Sequence, residues 1–269
     1  APAFTPAPAG GGGSGFSFTP SASAAPAKAF GADTKAAYKM DNVSLVTAAD
    51  VEKISAALGG QAFEEVKLLS AKMDVEETPT VSAEAAGPLA AALGKVMGSV
   101  KRLTLFEFRF ASTEAASTVL LALSPAPLLE ELDLTNSSLG PDGGRALGVA
   151  LHGLSALRTL KLEDCGLEDD GCAAVARALS GKAALEEVDL RNNDMEMDSV
   201  QILAGIFSSV QANLKAVRLD DDEDLDVSAV RTALEAAGKA DALKLGDDDD
   251  DDEDDDDDEG GDHEAPTPP

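Results

Sequence analysis

The chain has no tryptophan, one tyrosine, two cysteines and two histidines among 269 residues, and aromatic residues make up only 4% of it. A core built from such a sequence must be aliphatic, filled by Leu, Val and Ala rather than by rings. Two cysteines, Cys165 and Cys172, are too few for a disulfide framework, and no histidine lies near enough to complete a metal site with them. They read as small buried apolar residues in a reducing compartment, cytosol or nucleus. His152 and His263 form no Ser/His/Asp or Cys/His arrangement, and GGGGSG at 10–15 lacks the Lys-Ser/Thr ending of a phosphate loop. The expectation is a protein that is not an enzyme, with no cofactor and no metal. No apolar run reaches the length of a membrane span, so no membrane insertion is expected.

Positive charge is also scarce: 21 Lys and Arg stand against 50 Asp and Glu, for a net charge of −29. Asp247–Glu259 is an unbroken run of thirteen acidic residues; without it and without Asp262 and Glu264 the remainder still carries −14. No basic stripe exists to neutralise phosphates, which excludes nucleic acid as a partner. The acidic run repels itself, and it lacks the Gly turn and spaced ligands of a calcium loop. At the other end, APAFTPAPAGGGGSGFSFTPSASAAPAKAF is nearly all Ala, Pro, Gly, Ser and Thr, which bury too little to offset the entropy of ordering. The chain is therefore divided into a disordered lead over 1–36, a folded region over 37–246 and a disordered acidic tail over 247–269.

What the folded region has is repetition. LEELDLTNSSL at 129 returns as LRTLKLEDCGL at 157 and LEEVDLRNNDM at 185, spaced by 28 residues. VKRLTLFEFRF at 100 and LKAVRLDDDED at 214 extend the series with offsets of 29, FEEVKLLSAKM at 63 is a fainter copy, and ALKL at 242 is a remnant. Each copy fits the leucine-rich-repeat pattern L-x-x-L-x-L-x-x-N/C-x-L, with Ser137, Cys165 and Asn193 at the N/C position. Helical spacing follows each copy: Ala146, Leu147 and Ala150 in one unit, Ala173, Ala174, Arg177 and Ala178 after a turn at Gly171 in the next, then Val200, Leu203, Ala204 and Phe207. Pro141 suits the first turn of its helix, where no N–H is needed. The fold class is α/β: a leucine-rich-repeat horseshoe solenoid of six to seven units, with parallel inner strands and outer helices. A helix over Thr47–Leu58, capped by Thr47, is expected to close one end, and a last helix over Val227–Ala237 lies near the other.

Strand alternation turns the leucines inward and the intervening residues onto the concave face. That face should carry Glu65, Lys67 and Leu69; Arg102, Thr104 and Phe106; Glu131, Asp133 and Thr135; Thr159, Lys161 and Glu163; Glu187, Asp189 and Arg191; Ala216, Arg218 and Asp220. Mixed charge with an exposed aromatic suits a protein partner. The candidate contacts are Arg102, Thr104, Phe106, Asp133, Thr135, Lys161, Glu163, Asp189, Arg191 and Arg218. Phe108 is placed with Phe106, or packed beneath the insert before Val100.

NSSLGPDGG at 136–144, followed later by the poly-acidic tail, resembles the GTPase-activating proteins of the Ran GTPase. That family has a turn of the kind N-N-G-L-G-P-x-A-G; here Asn136 matches its first asparagine, while Ser137 and Ser138 stand in place of the second and of the glycine. The resemblance implies that Asn136 orients the catalytic machinery of a Ran-like small GTPase, so that the chain acts in nuclear transport as a GTPase-activating regulator. It also implies a cytoplasmic home with association at the nuclear envelope. The alternatives are a monomeric, non-catalytic leucine-rich-repeat scaffold and an acidic histone-binding chaperone that works through its tail.

Overall fold

Each L-x-x-L-x-L segment becomes a short strand because its leucines alternate toward one side while backbone groups pair with the units before and after. The computed structural model describes residues 34–43, 47–59, 62–70, 80–208, 213–222 and 225–246. Among the described residues, eight parallel strands form one sheet in chain order. They are β1 (Thr34–Val43), β2 (Ala62–Ser70), β4 (Arg102–Phe106), β6 (Glu131–Asp133), β7 (Thr159–Lys161), β8 (Glu187–Asp189), β9 (Ala216–Leu219) and β10 (Leu243–Leu245). A separate small pair joins β3 (Thr80–Val81) to β5 (Arg109–Phe110). Seven α-helices among the described residues return the chain between strands: α1 (Ala48–Leu58), α2 (Ala83–Gly94), α3 (Thr113–Leu121), α4 (Gly140–Leu151), α5 (Glu168–Ala178), α6 (Met197–Phe207) and α7 (Ser228–Ala236).

The repeat spacing sets the register. Leu103 pairs with Leu132, Leu132 with Leu160, Leu160 with Val188 and Val188 with Val217, and all five side chains are buried. The core is a stack of such aliphatic rungs, each incomplete without its neighbours. At the entry to the strands, charge alternates from unit to unit. Lys101 reaches Glu64, Arg158 reaches both Glu130 and Glu186, and Lys215 reaches Glu186. The same residues are joined through the backbone, each N–H donating to the preceding unit's carbonyl at 2.7 Å. The ion pairs thus add to a register that the backbone bonds and the buried rungs already set.

The N/C position is fully buried in three successive units and supplies hydrogen bonds to the turns. Ser137 Oγ donates to Leu105 O and accepts from Phe108 N–H. Cys165 Sγ donates to Leu134 O at 3.1 Å. Asn193 donates to three carbonyls and accepts from the N–H groups of Cys165 and Leu167. Gly144, Gly148 and Gly171 let α4 and α5 approach closely: a Cβ on Gly144 would lie 2.6 Å from Gly171 Cα, and one on Gly148 would lie 2.8 Å from Ala174 O.

Several expectations are corrected. The sheet does not begin at β2. Thr34–Val43 adds a strand in front of it, so α1 packs beside α2 as an ordinary outer helix and β1 is the outermost strand among the described residues. Thr34 to Ala36, assigned above to the lead, are the first residues of that strand. Gly171 is inside α5 rather than in a turn, and the buried face of α5 is Gly171, Cys172, Ala173, Val175, Ala176 and Ala178, leaving Arg177 exposed. The expected Thr47 cap is present, as a capping box with Asp50. The rest of the lead and all of the acidic run lie outside the described residues.

Candidate partner-binding surface

The concave face is a set of cross-strand rows fixed by register, and most of its charges are already engaged with one another. Arg102 on β4 reaches Glu65 on β2 at 2.9 Å, and Lys67 reaches the same carboxylate from its own strand at 2.9 Å. The hydrogen bond from Arg102, then that from Lys67, holds the Glu65 carboxyl below the usual carboxylate range. Two residues past β8, Arg191 donates to Asp189 at the strand's end at 2.8 Å and to Glu163 after β7 at 3.2 Å. Arg218 on β9 pairs with Glu187 on β8. Side chains held this way lose less entropy when a partner docks.

The ten predicted contacts therefore divide. Arg102 is exposed, and Thr104, Phe106, Asp133, Thr135, Lys161, Glu163, Arg191 and Arg218 are half-buried on the concave side. Asp189 is not a contact residue: its side chain is 5% exposed and lies beneath Arg191, because its carboxylate accepts from the Arg191 N–H and guanidinium. It is an anchor for Arg191. Glu65 and Glu187, outside those ten, play the same part for Arg102 and Arg218. Phe108 does not share the face of Phe106. Glu107 between them adopts a left-handed φ of 59°, which breaks the alternation and sends Phe108 into the core at 2% exposure. Leu69 and Phe106, paired in register, form the apolar spot on an otherwise polar face.

Asn136 sits just past β6, half-buried, with a φ of 58°. Its N–H donates to Glu163 O at 2.9 Å. The equivalent residues Glu107, Asp164 and Asn192 have φ of 59°, 50° and 56°. The left-handed conformation is thus a requirement shared by four successive turns at this place, and Asn and Asp tolerate it better than most residues. That requirement accounts for an asparagine at 136 through the backbone alone. Among the described residues its carboxamide has no hydrogen-bond partner.

The excess negative charge of the described array collects at this same edge, where strands end and helices begin. Asp164, Glu168, Asp169 and Asp170 follow β7; Asp194, Glu196 and Asp198 follow β8; Asp220, Asp221 and Asp222 follow β9. Burial first, then Asp189 and Asp222, push the Asp220 carboxyl above its ordinary range despite a 2.7 Å bond from Asn192 N–H. The acidic run begins one residue after Gly246, whose N–H donates to Leu219 O at this edge. Both thiols are free and buried; burial raises Cys165 strongly and pushes Cys172 up to about 12. No cluster among the described residues could hold a metal ion, and no described helix is long and apolar enough to cross a membrane.

No curated protein matches the chain in sequence. The tropomodulin C-terminal domain of Caenorhabditis elegans is similar in structure at 15% identity, over 57% of this chain and 93% of that one, with a TM-score of 0.45. Actin-binding site 2 of leiomodin-1 is similar at 13% identity, over 56% of this chain and 87% of that one, also with a TM-score of 0.45. A leucine-rich-repeat family model matches twice, over residues 126–148 and 154–176. Those segments start 28 residues apart and span β6–α4 and β7–α5, two consecutive strand–helix units of the parallel array; the fold is a leucine-rich-repeat α/β solenoid.

Proposed function

We propose that this chain is a protein-binding module that docks its partner on the concave sheet and the adjoining strand-end edge, with no chemistry of its own. The observation that carries this is the engagement of the concave charges with one another, with the Arg102, Glu65 and Lys67 group beside the half-buried Phe106 and Leu69. Such a face is stiff, near charge balance and supplied with an apolar anchor, as a specific interface needs. The test is capture from cell extract with the wild-type chain and with Phe106→Ala and Arg191→Ala. Partners retained equally by all three proteins would refute docking on this face.

The finer reading is activation of a Ran-like small GTPase, with Asn136 as the residue that orients the partner's catalytic groups. It is supported by the position of Asn136 on the acidic edge, its part exposure and its unpartnered carboxamide. Against it stands the backbone reason for an asparagine there. Single-turnover GTP hydrolysis by Ran, with and without the chain, decides it. No acceleration by the wild type ends the activator reading. Equal acceleration by Asn136→Ala ends only the assignment of that residue.

A further inference from the structure

On the outer side of the solenoid, α3 and α4 leave between them a cleft of about 550 Å³. Its walls are repeat-equivalent. Glu114 faces Asp142, Ser117 faces Arg145 and Leu121 faces Val149, each pair 28 residues apart. The two helices follow parallel strands, so they run the same way, and the cleft is graded along its length. Its N-terminal end is acidic and its C-terminal end apolar. Val149 is 61% exposed and Leu121 45%, which places them among the few large exposed apolar side chains of the described residues. Arg145 pairs with Asp142 and, at 3.1 Å, with Asp170 on α5, so the acidic end rests on Glu114. Glu114 makes no ion pair among the described residues.

The next unit does not repeat the arrangement. Arg177 stands where Val149 does, and the glycines between α4 and α5 close that side. A generic outer surface would show neither the apolar pair nor the gradient.

We propose that this cleft is a second docking site, separate from the concave face, and that its occupant is an amphipathic helix of a partner with apolar and basic residues one above the other. Charge and spacing both argue for that chemistry. The apolar and acidic ends lie seven residues apart on each wall, about 10 Å along a helix axis. A bound helix with apolar residues at i, i+3 and i+4 and Lys at i+7 matches that distance on one face. Its lysine meets the free carboxylate of Glu114 while its apolar residues cover Leu121 and Val149.

The test uses the full chain and a fluorescein-labelled Leu/Lys peptide of that pattern, with its scrambled isomer as control, read by fluorescence anisotropy. Saturable binding of the patterned peptide alone is expected. Changing both Leu121→Asn and Val149→Asn should weaken it on the order of tenfold, and since both side chains are exposed, the circular dichroism spectrum should not change. Glu114→Gln should weaken it severalfold and flatten its salt dependence. Absence of binding to the wild type overturns the proposal. Undiminished binding to the double variant also overturns it, since the peptide would then be held by the acidic run Asp247–Glu259. So does concentration-dependent self-association of the wild type that the double variant loses, for the occupant would then be a second copy of the chain.

Discussion

Replacing Asn193 by alanine should be the costliest single change at the repeated N/C position. The side chain is wholly buried. Its Nδ2 donates to Leu162 O at 2.6 Å, Arg191 O at 2.9 Å and Leu190 O at 3.0 Å, and its Oδ1 accepts from Cys165 N–H and Leu167 N–H, both at 3.2 Å. Alanine leaves two buried donors and the Leu162 and Leu190 carbonyls without that partner, while Arg191 O keeps the Asp164 N–H. At about 1–3 kcal/mol for each orphaned buried group, with some relaxation of the turn, the loss is about 3–5 kcal/mol. Ser137→Ala orphans fewer groups, the Phe108 N–H and the Leu105 carbonyl, and should cost about 1–3 kcal/mol. Cys165→Ala removes a weak thiol donor and a small buried volume, for about 1 kcal/mol. Urea unfolding followed by circular dichroism measures all three, provided the slope with denaturant is unchanged. The predicted order is Asn193, then Ser137, then Cys165. If Cys165→Ala costs as much as Asn193→Ala, buried volume and not hydrogen bonding sets the price at this position, and the reasoning fails.

Three further outcomes are expected. Gly144→Ala should destabilise by about 1–3 kcal/mol, because the new methyl meets the α5 backbone, whereas Gly205→Ala, with nothing within 4 Å, should stabilise by about 0.5–1 kcal/mol; thermal unfolding separates the two signs. Arg191→Ala strips the nearly buried Asp189 of its guanidinium and should cost about 1.5–3 kcal/mol by urea unfolding, with Arg191→Lys recovering little because Nε and Nη2 grip both oxygens of Asp189 while Nη2 also reaches Glu163. Asp220 has its carboxyl raised, so its charged form is disfavoured in the fold. Asp220→Asn should therefore be more stable than the wild type at neutral pH, and that advantage should fade as the pH falls through the raised value; a pH series of unfolding midpoints with a constant gap would contradict it.

The solenoid was legible because its signal is written many times. Any one copy of L-x-x-L-x-L fits an isolated strand; the same spacing at 63, 100, 129, 157, 185 and 214 fits only strands stacked in register. Strand β1 lacked that signature. TKAAYKMDNV has no leucine, and it pairs with β2 through backbone groups and through Tyr38, whose ring meets that of Phe63 at 5.5 Å. A terminal unit needs only one apolar side, so it need not carry the full pattern. The inner face of α5 was misplaced for a related reason: with Gly and Ala on most sides of the helix, apolar periodicity barely distinguishes the faces, and contact with Pro141 and Gly144 decides which one turns inward.

The surface was legible only as far as alternation holds. Alternation put Thr104, Phe106, Lys161 and Arg218 on the concave side, but it could not separate contact residues from their supports. Asp189 and Arg191 are two apart and read alike, yet one is buried beneath the other. That difference arises from register with Glu163, 28 residues earlier, which gives Arg191 two carboxylates to span. The same limit applies to Asn136. Read in sequence, it is a polar residue before a Leu-Gly-Pro turn and invites a functional role. Seen beside Glu107, Asp164 and Asn192, it is one of four residues holding the same left-handed bend. A residue that the fold already requires gives weak evidence of activity. The cleft between α3 and α4 is evidence of the opposite kind, because neither the repeat nor the core requires Leu121 and Val149 to stand exposed on facing helices. In a repeat protein, the departures from what each unit must supply are where a partner leaves its trace.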